Sequence, residues 1–334
     1  MNLFIQQVTQ EINNSIKNLN YNNKVEELYL PIQYTLDNGG KRIRPLFMIL
    51  AYSLFKDDYQ AIMNNAVALE VYHNFTLLHD DVMDNANVRR GNPCVHVKWN
   101  ENTAILSGDA MLILAYQLMT QNFTEGKLNQ QEVMALQKAL KTFNLATLGV
   151  CEGQQLDMDF ENMDDVSEEQ YMEMIRLKTS LLLSSALKIG AQLALANDED
   201  AQCLYDFGEK IGLAFQLQDD LLDVYADPKV FGKAVGGDIA ENKKTFMLIK
   251  TLQLVDKQQK ERLLYWMGMD KFDKQEKYLA VKDIYDQVDI KNISQKKIEM
   301  LFSEAMEALE KVSVPDEKKS ALIKVAKKLM NRNA

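Results

Sequence analysis

The sequence predicts an all-α fold in a single domain that spans residues 1–334. The 14 glycines and 5 prolines make 19 residues of 334, which is about half the average share of about 12%. Because strands are joined by turns that depend on these two residues, so low a content argues against a β protein. The remaining chain consists of long stretches rich in Leu, Ala, Met, Glu, Lys and Gln, which favour helices, and its apolar residues recur at helical spacing.

Few segments interrupt this helical pattern. The breaks fall at residues 39–45 (GGKRIRP), at 85–93 (NANVRRGNP), at 227–238 and just before Pro315. Pro45 suits the first turn of the next helix, and Asp316 is expected to cap the last one. That last helix (KKSALIKVAKKLMNR) is basic and amphipathic, and we interpret its charged face as solvated. No low-complexity linker divides the chain, which is why a single domain is predicted.

Charge and cysteine usage exclude several classes of protein. A net charge of −10 and a pI of about 5.0 argue against a general nucleic-acid binder. Cys94, Cys151 and Cys203 are far apart and form no CxxC, so we expect neither a disulfide framework nor a zinc site, and a reducing cytoplasm fits. The N-terminus lacks the pattern of a signal peptide, and no 18-residue apolar run is present. We therefore expect a cytoplasmic protein without stable membrane insertion.

An acidic pattern occurs twice inside apolar helical stretches. HDDVMD at 79–84 recurs as QDDLLD at 218–223. In a helix, residues four apart lie on one face, so the outer aspartates of each copy point the same way, and the inner one is turned by about 100°. Buried carboxylates must be paired or bind a metal. The candidate metal ligands are Asp80, Asp81, Asp84, Asp219, Asp220 and Asp223.

The type of metal follows by elimination. A calcium loop that starts at Asp80 would need glycine where Asn85 stands. A di-iron bundle needs two Glu-x-x-His motifs; Glu70 and His73 form one, and neither His79 nor His96 completes a second. Catalytic zinc is poorly supported with so few His and Cys. Magnesium remains, because it uses few carboxylates together with water and substrate phosphates.

Basic residues stand beside both acidic clusters and at glycine-containing breaks. Such placement favours two anion sites, one bridged by metal and one held directly by Arg and Lys. The basic residues concerned are Lys41, Arg42, Arg44, Arg89, Arg90, Lys178, Lys233, Lys243 and Lys244.

The ordered motifs resemble those of the trans-isoprenyl diphosphate synthases, also called polyprenyl synthetases. The resemblance extends over residues 39–245 and rests on GGKRIRP, the histidine of ALEVYH, LLHDDVMD with RRG, KTS, FQLQDDLLD, and GK…GGD…ENKKT. Any one of these is modest support, whereas six in order are specific. The resemblance implies a helical bundle around a central cavity, a homodimer, and condensation of isopentenyl diphosphate with dimethylallyl, geranyl or farnesyl diphosphate.

The resemblance also implies roles for individual residues. The six aspartates would bind three Mg²⁺ ions with the allylic diphosphate. The allylic diphosphate would be held by Arg89, Lys178, Lys233 and Lys243. Isopentenyl diphosphate would be held by Lys41, Arg44, His73 and Arg90. Thr179 and Gln216 match residues near the carbocation, and Lys178 is counted with them as catalytic. The chain departs from the family where Asn242 replaces the usual glycine before Lys243.

Product length is expected to depend on the helix before the first aspartate cluster. Phe75 and Tyr72 precede Asp80 by five and eight residues, which places them roughly 7 and 12 Å below the metal ligands. Thr76 is small. In the family, a single aromatic residue at the fifth position accompanies products of C15 to C20, so a farnesyl or geranylgeranyl diphosphate synthase is predicted. The alternative is that Phe75 serves only the core.

Two other functions remain open from the sequence. A class I terpene cyclase shares the ionisation chemistry, but it needs no isopentenyl site, so GGKRIRP, His73 and Arg90 count against it. An inactive regulatory subunit of a heteromeric synthase would be expected to lose aspartates, and both clusters are complete here.

Overall fold

The computed structural model describes residues 3–20, 25–124, 128–226 and 235–331. These residues form helices joined by short turns, in agreement with the all-α prediction. In chain order the helices are α1 (Leu3–Lys17), α2 (Glu26–Asp37), α3 (Ile43–Tyr52), α4 (Met63–Met83), α5 (Val95–Lys98), α6 (Glu101–Thr124), α7 (Gln130–Glu161), α8 (Glu168–Ile175), α9 (Leu181–Leu193), α10 (Asp198–Tyr225), α11 (Gly237–Ala240), α12 (Phe246–Leu254), α13 (Lys257–Met267), α14 (Lys274–Gln287), α15 (Ile290–Glu310) and α16 (Asp316–Met330). A 3₁₀ turn (Tyr59–Ile62) precedes α4, and a π-helical turn (Arg176–Ser180) joins α8 to α9.

Local sequence signals account for several helix starts. Ser167 begins α8 and Asp256 begins α13 with capping boxes, in which the cap side chain and the third helical residue exchange hydrogen bonds with the backbone. The hydroxyl of Thr245 caps α12 by accepting from an amide of its first turn. Pro45 lies in the first turn of α3, as expected. Asp316 is the first residue of α16 rather than the residue before it, so its charge acts on the helix dipole.

The segment 85–93 contains a short hairpin that the sequence reading treated only as a loop. Strand β1 (Val88–Arg89) pairs antiparallel with β2 (Asn92–Pro93), so that Arg89 is opposite Asn92. The two turn residues, Arg90 and Gly91, both have positive φ (52° and 80°), as in a type I′ turn.

The contact pattern divides the chain into two compact units. Unit 1 comprises Met1–Phe143, Ala186–Gln202 and Val314–Ala321, and unit 2 comprises Asn144–Ser185, Cys203–Ser313 and Leu322–Ala334. The core of unit 1 includes α3 from Pro45 to Tyr52, which is buried along its whole length, and most of α4. The core of unit 2 is formed by apolar residues of α8, α10, α12, α14 and α15. The single-domain interpretation remains a prediction.

Helix α6 is apolar enough to meet a length and composition criterion for a membrane span. The stretch that meets it is Glu101–Gln121. In its most apolar 18-residue window, 39% is buried inside the protein. Helix α6 packs along α4 in unit 1: Gly108 lies so close to His79 that a Cβ there would be 3.1 Å from its Cε1. Its apolar composition is therefore in part that of a core helix.

Candidate active site

The first aspartate cluster lies at the C-terminal end of α4. The amide of Asp84 donates to the carbonyl oxygen of Asp80 at 2.8 Å, which confirms that these two residues stand one helical turn apart. Asp80 is half-buried and Asp84 is exposed. The C-terminal end of a helix already carries a partial negative charge, which adds to the repulsion among the carboxylates. A cation at this end of α4 would relieve that repulsion.

The inner aspartate of the first cluster has a protein partner. Asp81 is buried, and its Oδ1 accepts hydrogen bonds from Nε of Arg89, at 2.8 Å, and from Nη2 of the same side chain. Burial lowers the pKa of Arg89, but the hydrogen bond and charge of Asp81 outweigh this effect and leave that pKa raised. Arg89 is therefore held beside the cluster by Asp81 as a fixed positive charge.

The hairpin separates the two neighbouring arginines. Nη1 of Arg90 donates to the carbonyl oxygen of Gly39. A Cβ on Gly40 would lie 3.0 Å from Nη1 of Arg90. Gly40 has φ +141°, so both its backbone and the absence of a side chain allow this contact. Arg89 contacts the aspartate cluster, whereas Arg90 contacts the loop that carries Lys41. Arg89 and Arg90 also line one small, partly open pocket together with Asp81.

Three of the four predicted isopentenyl diphosphate residues, Arg44, His73 and Arg90, share one electrostatic environment in unit 1. Burial lowers the pKa of Arg44 to about 10, so this side chain stays charged at neutral pH, and its buried Nε has no hydrogen-bond partner among the described residues. The pKa of His73 lies well below its usual range, because of burial first and then the charges of Arg44 and Arg90. A neutral imidazole beside unneutralised arginines suits an anion that brings its own charge.

Arg42 does not belong to that anion site, which corrects its grouping with Lys41 and Arg44. It is buried, its Nη1 is 2.7 Å from Oε1 of Glu70, its Nη2 donates to the carbonyl oxygen of Leu36 and its Nε donates to Asn13. Arg42 has φ +51°, in the left-handed region. These internal contacts hold the turn between α2 and α3, from which Lys41 extends to the surface.

In unit 2, the second aspartate cluster lies at the C-terminal end of α10. Asp220 is buried, and both of its oxygens accept hydrogen bonds, Oδ2 from the hydroxyl of Tyr171 and Oδ1 from Nε2 of Gln216 at 2.9 Å. Burial raises the pKa of Asp220 to about 6. Oε1 of Gln216 accepts from the hydroxyl of Thr179 at 3.0 Å. The structure thus brings together Thr179, Gln216 and Asp220, and it adds Tyr171, which the sequence reading missed.

The outer residue Asp223 is joined to the segment that follows α10. Its Oδ2 accepts from the amide of Asp238 at 3.0 Å, and burial raises its pKa. Burial and the charges of Asp220 and Asp223 raise the pKa of Asp238 to about 8. Nζ of Lys243 lies 3.8 Å from Asp238 and 3.4 Å from Glu241. Lys233, which was expected to contact the allylic diphosphate, lies outside the described residues.

Lys178 lies in the π-helical turn, and its partner is another residue that the sequence reading missed. Nζ of Lys178 is 2.6 Å from Oδ2 of Asp157 on α7. Two glycines allow the neighbouring helices to approach this turn. A Cβ at Gly153 of α7 would be 2.8 Å from Cα of Lys178, and a Cβ at Gly212 of α10 would be 2.6 Å from Cα of Ser180. Gly153 and Gly212 could have indicated this close packing from the sequence, because a glycine inside a long helix usually marks a place where a neighbouring element comes near.

Replacing Gly153 by Ala is expected to destabilise the protein by about 1–3 kcal/mol, because the new methyl group collides with the backbone of the π-helical turn. Chemical denaturation measures the loss. Gly268→Ala is the matched control, since a Cβ there meets nothing closer than 3.4 Å. Equal stability of the two variants would contradict the close approach.

The predicted chain-length residues form an aromatic cluster in unit 1. Tyr72 and Phe75 are buried, and their ring centroids are 5.4 Å apart. Tyr72 also packs edge-on against Phe143, at 5.7 Å, and Phe75 packs against His79, at 4.8 Å. Thr76 is half-buried, and its hydroxyl donates to the carbonyl oxygen of His73.

The two aspartate clusters supply carboxylate oxygens, which are the kind of donor that Mg²⁺ uses. Within the described residues, no group of three or more His, Cys, Asp and Glu side chains surrounds a single point. A closed site is therefore not present there, and Mg²⁺ does not need one, because it keeps several waters and uses one or two carboxylates with substrate phosphates. Burial, and to a smaller extent the neighbouring carboxylates, raises the pKa of Asp223 and of Asp238.

The chain is similar to known proteins over most of its length. Residues 25–287 match the sequence profile of the polyprenyl synthetase family. A short chain isoprenyl diphosphate synthase of Methanocaldococcus jannaschii is 41% identical over 266 residues, which cover 80% of this chain and 78% of the relative. A geranylfarnesyl diphosphate synthase of Natronomonas pharaonis is 40% identical over 242 residues, 68% of this chain and 69% of the relative. The crystal structure of a geranylgeranyl pyrophosphate synthase matches with a TM-score of 0.91 and 39% identity over 100% of both chains.

Proposed function

The chain belongs to the polyprenyl synthetase family and is a trans-prenyltransferase, and on this premise we propose that it condenses isopentenyl diphosphate head to tail with an allylic diphosphate. One observation carries the proposal: two Asp-Asp-x-x-Asp clusters end two long helices. Arg89 is hydrogen-bonded to the first cluster, and Lys243 lies beside Asp238, whose amide donates to Asp223 of the second. The family match favours this function over a terpene cyclase or an inactive subunit.

The proposed reaction begins with cleavage of the allylic carbon–oxygen bond. Enzymes of this family use Mg²⁺, and the bound ion would supply positive charge to the departing diphosphate. The outer aspartates Asp80, Asp84, Asp219 and Asp223 are the proposed ligands, with three ions expected. The inner aspartates, Asp81 and Asp220, are also candidate ligands, although their hydrogen bonds to Arg89, Tyr171 and Gln216 suit a positioning role.

The basic side chains have the complementary role. Arg89, Lys178, Lys233 and Lys243 are proposed to stabilise the leaving diphosphate, since preorganised charges directed at developing negative charge are the main catalytic contribution in such sites. Thr179 and Gln216 present oxygen atoms to the allylic cation. Arg44, Arg90, His73 and Lys41 would hold the diphosphate of isopentenyl diphosphate. Its double bond attacks the allylic cation, which forms a new carbon–carbon bond and leaves a tertiary carbocation. That carbocation loses a proton to the released diphosphate and becomes the longer allylic diphosphate.

Incubation with isopentenyl diphosphate, Mg²⁺ and each allylic primer in turn tests this function. We expect an all-trans diphosphate longer than the primer and one diphosphate released per condensation. A cyclic hydrocarbon from the primer alone would indicate a cyclase. No diphosphate release with dimethylallyl, geranyl or farnesyl diphosphate would contradict the enzymatic proposal.

Product length is proposed to be C15 to C20 and to depend on Phe75. Phe75→Ala removes an aromatic side chain that packs between Tyr72 and His79, so the product is expected to gain at least one five-carbon unit. Analysis of products by chain length measures the change. Phe246→Ala is the control, because it removes a buried aromatic side chain from unit 2. An unchanged product from Phe75→Ala would show that Phe75 serves only the core.

We further propose a cytoplasmic homodimer. Cys94, Cys151 and Cys203 form no disulfide bond, which fits a reducing compartment. Helix α6 exposes Ile105, Leu106 and Ile113, of which Leu106 is 60% accessible, and such apolar surface is typical of an interface. Sedimentation of the purified protein measures the oligomeric state, and a monomer at micromolar concentration would contradict the proposal.

A further inference from the structure

Lys277 on α14 is a fully buried lysine, and its hydrogen-bond acceptors within the described part of the chain are amide oxygens, none of them a carboxylate. Its side chain is completely inaccessible, and its Nζ lies 2.7 Å from Oδ1 of Asn242 and 3.3 Å from the carbonyl oxygen of Ala240. The same atom is 4.1 Å from the ring centroid of Phe272. Burying an ammonium group among neutral partners is unfavourable, and burial lowers the pKa of Lys277. An apolar side chain would fill this position without the desolvation cost of a charge. Stability alone therefore does not explain why a lysine makes these contacts.

Asn242, which accepts a hydrogen bond from Lys277, has a backbone conformation that favours glycine. Its φ is +55°, in the left-handed region, which Asn tolerates better than most side chains. Its Oδ1 accepts from Lys277, and its Nδ2 donates to the carbonyl oxygen of Met267, the last residue of α13, at 2.9 Å. The side chain of Asn242 therefore fastens this segment to two helices, which glycine at the same position would not do.

The fastened segment ends at Lys243. The amide of Lys243 donates to the carbonyl oxygen of Asp238 at 2.9 Å, and the amide of Asp238 donates to Oδ2 of Asp223 at 3.0 Å. Between these bonds lies α11, whose last carbonyl oxygen, that of Ala240, accepts from Lys277. The position of Lys243 relative to Asp223 thus depends on the short segment 238–243. Lys277 holds that segment through its hydrogen bonds to Ala240 and Asn242.

We infer that Lys277 and Asn242 are positioning residues for Lys243, which they hold at a set distance from the second aspartate cluster. The inference rests on the proposed function of Lys243 in binding the allylic diphosphate. Lys277 itself contacts neither that cluster nor the substrate; it acts through Asn242 and Ala240. A displacement of about 1 Å at a charged group of an active site can reduce the rate up to about a hundredfold.

A double-mutant cycle tests the inference. Lys277→Met is expected to lower kcat by about tenfold to a hundredfold while the thermal unfolding temperature stays the same or rises, because a buried charge is replaced by an apolar side chain. In a Lys243→Gln background, measured in single turnovers at high enzyme concentration, the same substitution should change the rate less than about threefold. Asn242→Ala should reproduce the effect of Lys277→Met and add little to it.

Two further measurements separate positioning from a general structural role. Lys277→Arg, which keeps the donors, should recover part of the rate, and Lys274→Met, on the exposed first turn of α14, should leave it unchanged. The amide of Lys243 should exchange with deuterium at least tenfold faster in Lys277→Met than in the unaltered protein.

The outcomes are distinguishable from failure of the proposed function. If the unaltered protein makes no product with any primer, the proposed function is wrong, and amide exchange alone then decides whether Lys277 anchors the segment. If the unaltered protein is active, the positioning inference is overturned by an equal effect of Lys277→Met in both backgrounds. Unchanged exchange at Lys243 would overturn it as well.

Discussion

Asp84→Asn is expected to lower kcat by at least about a hundredfold without lowering the thermal unfolding temperature. Asp84 is exposed and caps the C-terminal end of α4, one turn from Asp80. Neutralising a carboxylate at the negative end of a helix removes an unfavourable interaction with the helix dipole. The free energy of unfolding should therefore rise slightly. A loss of activity therefore reports the loss of a metal ligand rather than a loss of structure.

The metal dependence of this variant provides a second measurement. Asp84→Asn should need a higher Mg²⁺ concentration for half-maximal activity than the unaltered enzyme, because one carboxylate ligand is missing. Glu161→Gln is the matched control: it makes the same change from carboxylate to amide on an exposed residue at the end of α7. A variant with kcat within threefold of the unaltered enzyme, and the same Mg²⁺ requirement, would show that Asp84 binds no metal.

Glu70→Gln is expected to destabilise the protein by about 3–5 kcal/mol. Glu70 and Arg42 are both buried, and their side chains are 2.7 Å apart with 3% exposure each. Oε1 of Glu70 also accepts from Nδ2 of Asn74 at 3.1 Å. Neutralising Glu70 leaves the guanidinium of Arg42 buried without its counter-charge, which is more costly than losing the attraction alone.

Equilibrium denaturation with urea measures this effect, and two further variants interpret it. Arg42→Met combined with Glu70→Met should be less destabilised than Glu70→Gln, because no isolated charge remains. The exposed pair of Lys138 and Asp198, which are 51% and 77% accessible, serves as a comparison, and its double alanine variant should be destabilised far less than Glu70→Gln. A loss below 1 kcal/mol for Glu70→Gln would mean that Arg42 finds another partner.

The aspartate positions could be predicted from the sequence because helical periodicity is local. Residues four apart share a face in any helix, and Asp80 and Asp84 do so in the structure. The assignment of Arg89 and Arg90 to different substrates came from the family resemblance. In the structure the two side chains have different partners: Arg89, on β1, binds Asp81, and Arg90, in the turn, binds the carbonyl oxygen of Gly39.

The partners of the polar site residues could not be predicted, because they are distant along the chain. Tyr171 and Asp220 are 49 residues apart, and Lys277 and Asn242 are 35 apart. Arg42 illustrates the resulting error. Its neighbours Lys41 and Arg44 suggested a shared anion site, whereas its partner is Glu70, which lies 28 residues further on. Spacing along a sequence indicates which face a residue occupies, and it does not indicate what lies opposite.

The sequence by itself determined the all-α fold class, the two aspartate clusters and the family, since composition, helical spacing and ordered motifs are all properties of short segments. Only the tertiary structure decided which charges are neutralised inside the protein and which remain available for an anionic substrate. It buried Arg42 against Glu70 and Asp220 against Tyr171, and it left Nε of Arg44 buried without a partner among the described residues. The physical reason is that desolvation and hydrogen bonding depend on the packed neighbours of a group, and these neighbours are set by the fold as a whole.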